Sequence, residues 1–312
     1  MIPEGTAGEA ARAAGLRGRG TRGLKERAIQ LLLLACAAVT VLTMLAVIVV
    51  LAEETLSFFG SVSVVEFLTS AEWTPLFADK HYGIAPLLAG TLLVTAIALM
   101  FGLPLGLGAA VYLVEFASAR RRRLVMPVLE LLAGIPTVAL GYFALLFVTP
   151  LLQRFIPGLD LFNPLSAGLV MGFMILPTVS SISADAMLAV PSGLREAGYG
   201  LGASKLQLVT RVVIPAALSG IVASFILAMS RAIGETMIVT LAAGQKPTLT
   251  LDPRDTIATM TSFIVQAATG DQPAGSLAAR SLYAVAAVLF VMTLGLNLVS
   301  QAVVRRFREQ AE

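Results

Sequence analysis

The chain has 312 residues, 57% of them hydrophobic and 13% charged, with a mean hydropathy of +0.87. A soluble domain carries about a quarter charged residues, so a water-facing globular fold is excluded, and apolar surface on this scale needs a bilayer as solvent. The net charge of +3 is scattered between apolar runs, which argues against nucleic-acid binding, and one cysteine, Cys36, permits neither a disulfide framework nor a Cys-rich metal site.

Residues 1–27 are rich in Gly, Ala and Arg without apolar periodicity and are expected to form a disordered basic tail. The uncharged run Ala28–Ala52 is too long for a signal-peptide core and reads as an uncleaved first membrane helix. It belongs with the outer loop to a segment over 28–85. A core domain over 86–304 follows, with five further crossings, and residues 305–312 form a short tail. The crossings are expected within Pro86–Val114, Met126–Leu152, Leu165–Val190, Ala216–Ala243 and Ser281–Val304. The fold class is therefore all-α, with six transmembrane helices.

The loops alternate in charge. One set, comprising the N-terminal tail, Arg120–Arg123, Arg195, Lys205, Arg211 and the last three arginines, holds sixteen basic residues against five in the other set. The positive-inside rule makes the first set cytoplasmic, so both termini are expected inside a multi-pass protein of the cell membrane. The outer loop 53–85 carries Val64, Val65, Phe67, Leu68 and Trp73, a pattern expected for a short surface helix with Trp73 at headgroup depth.

Pro136 and Pro177 each lie about ten residues into an expected helix. Proline there removes a helical hydrogen bond, which is tolerated against protein or a water-lined cavity; both a packing kink and a pathway-lining hinge fit. Gly102 and Gly106 form a GxxxG pair suited to close helix approach.

The loop 191–215 reads as a short amphipathic helix with Leu194, Ala197 and Leu201 on one face, a glycine turn, and a second helix returning to the membrane. Such a surface suits docking into a groove of another protein. Glu196-Ala197, Gly202 six residues after the glutamate, and Ile214-Pro215 resemble the EAA loop of ABC importer permeases, with Gly198 and Val212 departing from its pattern. The resemblance implies a coupling element in which Glu196, Ala197, Gly198 and Gly202 meet a separate ATPase. The chain has no G-x-x-x-x-G-K-[ST] phosphate loop.

The fifth helix carries Ser230-Arg231-Ala232-Ile233-Gly234-Glu235-Thr236-Met237. Arg231 falls about 22 Å from the cytoplasmic end at 1.5 Å per residue, near mid-membrane, where an arginine costs at least about 2.5 kcal/mol. Glu235 at i+4 is expected to face and neutralise it. An internal salt bridge pinning two helices would explain the pair, and so would a transport-path site in which the guanidinium fork meets an oxyanion such as phosphate, with Ser230 and Thr236 beside it. Glu235 would either hold Arg231 or limit the grip on the anion. Glu130 and Asp185 are read as buried partners of Arg195 or the Arg120–Arg123 cluster, or as parts of a cytoplasmic gate.

The segment Arg231–Met237 is similar to the R-A-[IL]-G-E-T segment of phosphate-specific permeases. Trp73-Thr74-Pro75 and Glu130-Leu131-Leu132-Ala133-Gly134-Ile135-Pro136 resemble the PstC subunit rather than PstA. This implies a type I ABC importer (MetI-like) permease in an ATP-driven phosphate importer. Its partners would be a PstA-like permease, a PstB-like ATPase dimer and a PstS-like binding protein, with membrane lipid around it and no nucleic acid. No cofactor is expected on this chain, ATP and Mg being held by the ATPase. An ion-coupled secondary anion transporter also tolerates intramembrane charge; a membrane-embedded enzyme would need a nucleophile–base pair or metal cluster that the residues do not supply.

Overall fold

The computed structural model describes the backbone of residues 6–77, 79–273 and 275–309, and of these the side chains from 26 to 302. The chain divides into two units, Met1–Glu53 and Glu54–Glu312. The first is most of helix α1 (Thr6–Phe59). Every side chain from Glu26 to Val50 is exposed, a state that is costly in water and favourable in hydrocarbon. The segment expected as a disordered tail is helical from Thr6, and residues 1–5 lie outside the described residues. Ala, Arg, Leu and Glu are good helix formers, and a helix already nucleated by the apolar run propagates into them at one hydrogen bond per residue.

In the second unit, α2 (Val64–Thr69) precedes the extended outer loop. α3 (Ala85–Val111) ends in a π turn, Tyr112–Phe116, and α4 (Ala119–Ala133) follows. α5 (Thr137–Phe143) continues through a second π turn, Ala144–Val148, into α6 (Thr149–Gln153). α7 (Pro164–Leu188) starts on an Asn163 cap with Pro164 at its first position. α8 (Ser192–Gly200), α9 (Lys205–Leu208), a third π turn (Val209–Val213) and α10 (Ile214–Ala216) make up the loop between spans. α11 (Leu218–Ile233), α12 (Met237–Ala242), α13 (Met260–Thr269) and α14 (Leu277–Glu309) complete the chain. The final residues 310–312 of the expected C-terminal tail lie outside the described residues.

Among the described residues four helices are long and apolar enough to cross a membrane uninterrupted, and up to six crossings result when two bent pairs each count as one. One bent pair corrects the expected third span. α4 and α5 meet at 90°, because Pro136 has no N–H to donate and disfavours helical backbone at Ile135. Pro136 is the N-cap of α5, so it starts a crossing of about 25 Å through α6 instead of kinking one at mid-depth. Pro177, by contrast, lies inside α7, which runs through it without a break in the helix. The other bend, 70°, lies between α10 and α11, where the loop turns into the membrane.

The centre of the unit is the pairing of α3 with α7. Its contact face is glycine on both sides. A Cβ on Gly102 would stand 2.6 Å from Ile175 and 2.9 Å from the Gly172 carbonyl; one on Gly106 would meet Val179 at 2.7 Å, and one on Gly168 would meet Ile97 at 2.6 Å. The small-residue spacing of α3 is thus answered by Gly168 and Gly172 of α7 within the same chain. Val94, Ala98, Met171, Ile175, Ala228 and Val239 fill the surrounding core.

A second cluster lies in and beside the outer loop. Trp73 is 1% exposed, its ring edge-to-face with Phe263 at 4.9 Å and near Phe67 and Tyr82. The indole expected at headgroup depth is thus packed within the protein and does not present itself to lipid. Aromatic partners that each add about 0.5–1.5 kcal/mol beyond burial draw the indole inward, and an isolated Trp73–Tyr82 bridge closes the loop over it. α2 turns Phe67 into this cluster and leaves Val64, Val65 and Leu68 exposed.

Gly102→Ala should destabilise the protein by about 1–3 kcal/mol through overpacking, although alanine is the better helix former. Gly108→Ala, with nothing within 4 Å of the new methyl, should leave the midpoint unchanged or raise it. Thermal unfolding of both variants in detergent tests the pair, and equal midpoints would refute the contact.

Candidate functional site

α11 ends at Ile233, with Arg231 in its last turn, where the helix dipole favours a cation. Gly234 closes the turn by returning its N–H to the Ser230 carbonyl at 3.2 Å. Glu235 therefore lies beyond the helix, and the expected i+4 pair with Arg231 does not form. The Glu235 carboxylate points forward instead. Its Oε1 accepts the backbone N–H groups of Met237 at 3.0 Å and Ile238 at 3.3 Å, satisfying two orphan donors of α12. Its carbonyl accepts a hydrogen bond from Thr261 at 2.7 Å.

Arg231 is exposed and its Nη1 donates to Thr178 Oγ1 of α7 at 3.2 Å. Among the described residues no carboxylate lies within ion-pair distance of it. One neutral hydroxyl leaves most of the five guanidinium donors open to another acceptor. Ser230 Oγ lies 3.2 Å from Asn297 Oδ1 on α14, and Thr236 Oγ1 donates to the Gly234 carbonyl at 3.3 Å. The four expected pathway residues thus stand around one helix break without converging on one point, and the side chain that meets Arg231 is Thr178, which the sequence did not single out.

Glu130 and Asp185 are both exposed, not buried. Glu130 lines an open cavity of about 600 Å³ with Arg122, Arg123 and Met126, and neither carboxylate ion-pairs with Arg195. Arg195 pairs with Glu115, and its Nη2 donates to the Met187 carbonyl at 2.7 Å. Glu115 was missed in the sequence, yet it is the one charge in the span Ala85–Phe116, and a lone ionisable residue at a span end was the available signal.

The loop 191–215 takes the shape its pattern implies. α8 ends in a Schellman turn, with Ala203 N–H bonded to the Gly198 carbonyl at 3.1 Å and Gly202 N–H to the Tyr199 carbonyl at 2.9 Å. Gly202 takes φ +79°, a left-handed backbone that glycine adopts freely. Ser204 and Gln207 then form a capping box that starts α9. Gly198 packs under Leu208, whose Cδ1 would stand 2.5 Å from a Cβ at this position and would have to shift to admit alanine. Leu194, Glu196, Ala197 and Leu201 remain exposed, Leu201 by 90%, so the apolar face of α8 has no partner among the described residues.

Gly202→Ala should weaken this turn by about 1–2 kcal/mol, the cost of left-handed backbone for an L-residue, whereas Gly193→Ala, in open space, should not. Hydrogen exchange of amides 198–204 in the two variants measures the difference. Glu235→Ala should cost about 1 kcal/mol of stability by uncapping α12, with Glu235→Gln retaining most of it; equal losses would show that the cap is not what Glu235 supplies.

Residues 102–309 match the family described as binding-protein-dependent transport system inner membrane component. The chain is 35% identical over 277 residues to the probable ABC transporter permease protein YqgH of Bacillus subtilis, covering 88% of this chain and 89% of that one. It is 35% identical over 259 residues to the phosphate transport system permease protein PstC of Mesorhizobium japonicum, covering 77% of each. The fold is shared with a bacterial ABC transporter involved in the import of alginate, at a TM-score of 0.61 and 18% identity over 91% of this chain and 99% of that one. The inward-facing MetNI methionine ABC transporter aligns at a TM-score of 0.55 and 20% identity, over 70% of this chain and 93% of that one. Permeases of this family work with a second permease, an ATPase and an extracytoplasmic binding protein, and the secondary-carrier alternative falls away. The chain belongs to the binding-protein-dependent transport system inner membrane component family, as a multi-pass permease subunit of an ABC importer.

Proposed function

We propose that this chain is the PstC-type permease of a phosphate importer and that orthophosphate meets Arg231 on its way across. The observation that carries the reading is a guanidinium in the last turn of α11, at the break before α12, hydrogen-bonded to Thr178 and opposed by no carboxylate among the described residues. A planar fork with free donors suits a tetrahedral oxyanion. Relatives named as phosphate transport permeases support the choice of cargo.

In this reading a PstA-like permease completes the pathway, a PstB-like ATPase dimer holds ATP and Mg, and a PstS-like protein delivers the anion. The chain itself hydrolyses no ATP and holds no cofactor. Both termini lie in the cytoplasm, on the side of the sixteen basic residues. Glu196, Ala197, Gly198 and Gly202 form the ATPase-docking loop. ATP-driven closure of the ATPase pair moves that loop and rocks the helices, so that Arg231 faces outward and then inward, with Glu130 beside its cavity at the inner mouth.

The test is ATP hydrolysis and phosphate uptake in proteoliposomes holding this chain with its partner permease and ATPase, and binding protein empty, phosphate-loaded or sulfate-loaded. Stimulation by the phosphate-loaded form alone is expected; stimulation only by another loaded solute would change the cargo. Arg231→Ala should assemble normally and abolish uptake. Arg231→Lys should lower it about tenfold or more, the worth of one charge-assisted hydrogen bond of about 1.5–3 kcal/mol. Normal uptake by the alanine variant would remove Arg231 from the pathway.

A further inference from the structure

The docking loop continues covalently into α7 at one end and α11 at the other. A third connection reaches α3 through side chains alone. Arg195 of α8 forms an ion pair with Glu115 in the π turn at the end of α3; the carboxylate side chain is 6% exposed and the arginine 23%. The second guanidinium nitrogen donates to the Met187 carbonyl in the last turn of α7 at 2.7 Å. One side chain therefore ties α8 to the ends of two spans.

The other limb of the loop holds the same turn. The Lys205 ammonium at the start of α9 lies 5.2 Å from the ring centroid of Phe116, the residue after Glu115. Beneath both contacts, Leu208 and Val213 are buried in one cluster with Ala110, Ala184 and Met187. The turn is π-helical, closed by Ala117 N–H to the Tyr112 carbonyl at 2.7 Å, a geometry that recurs at functional sites.

A buried ion pair is weak support for stability, so its place needs another account. Arg195 faces inward while its neighbours Glu196, Ala197 and Leu201 face out. A force applied to the exposed face of α8 is carried by Arg195 directly onto α3, the helix that packs most closely on α7. We propose that the Arg195–Glu115 pair is the strap that passes movement of the coupling helix to α3, with both as positioning residues for energy coupling. This deepens the ABC-permease reading and rests on it.

The experiment reconstitutes the whole complex with wild-type chain, Glu115→Gln, Glu115→Asp, Arg195→Gln, and the exchanged double variant Glu115→Arg with Arg195→Glu. Three quantities are read: ATPase co-purification, ATP hydrolysis, and inorganic phosphate taken up per ATP. Co-purification should be unchanged, because the docking face is untouched. Uptake per ATP should fall about tenfold in the Gln variants, equivalent to about 1.4 kcal/mol, and recover in the exchanged pair. Normal uptake per ATP in an assembled Glu115→Gln complex overturns the strap, as does an exchanged pair no better than the single variants. Should the Gln variants fail to assemble, Glu115→Asp decides: its charge is kept but its reach is shortened, so an assembled complex with full coupling overturns the proposal and a reduced ratio supports it. Failure of the phosphate reading shows separately, as a wild-type complex stimulated by another loaded binding protein, and the same ratios are then taken with that solute.

Discussion

The close approach of α3 and α7 is the contact on which the rest of the second unit depends. In hydrocarbon there is no hydrophobic drive to hold helices together, so association comes from van der Waals fit and from the few polar contacts that lipid cannot offer. Gly102 and Gly106 on one helix and Gly168 and Gly172 on the other let backbone and side chains meet where any Cβ would collide. α11 leans on both members of this pair. Its last turn thereby places Arg231 beside Thr178 of α7, and the far end of α3 is brought under the docking loop.

Charges inside the unit are divided between two uses. Glu235 is consumed by a helix start, where backbone N–H groups satisfy it, and that leaves Arg231 without a counter-ion among the described residues. An arginine satisfied locally would be a structural pin; one with open donors retains the capacity to bind an anion. The opposite choice is made near the docking loop, where Arg195 and Glu115 neutralise each other in a nearly closed space. One guanidinium keeps open donors and the other is held by a carboxylate and a carbonyl.

Much of the apolar exposure has two distinct meanings. The first helix exposes every side chain from Glu26 to Val50, as lipid requires. Leu201 and Leu194 are exposed on a short loop helix flanked by charge, where no lipid-facing span accounts for them. Tyr142, Phe143, Leu146 and Phe147 along α5 and its π turn are also exposed, with Phe143 and Phe147 stacked at 5.1 Å.

The sequence by itself determined the membrane class, the number of crossings and the helix–glycine turn–helix shape of loop 191–215, because each rests on local quantities: run length or spacing within a turn or two. It went wrong where a local pattern met a backbone event. The i+4 relation between Arg231 and Glu235 holds only while the helix continues, and a Gly234 turn ends it. Pro136 and Pro177 look alike in sequence, yet one begins a helix and the other passes through one, since neighbouring residues decide whether the missing hydrogen bond is tolerated. Trp73 packs against Phe263, a partner far away in the chain that its local sequence does not reveal. The partners of Arg231 and Arg195 come from residues far away in the chain, Thr178 and Glu115, and only the tertiary packing of α3, α7 and α11 brings them within reach.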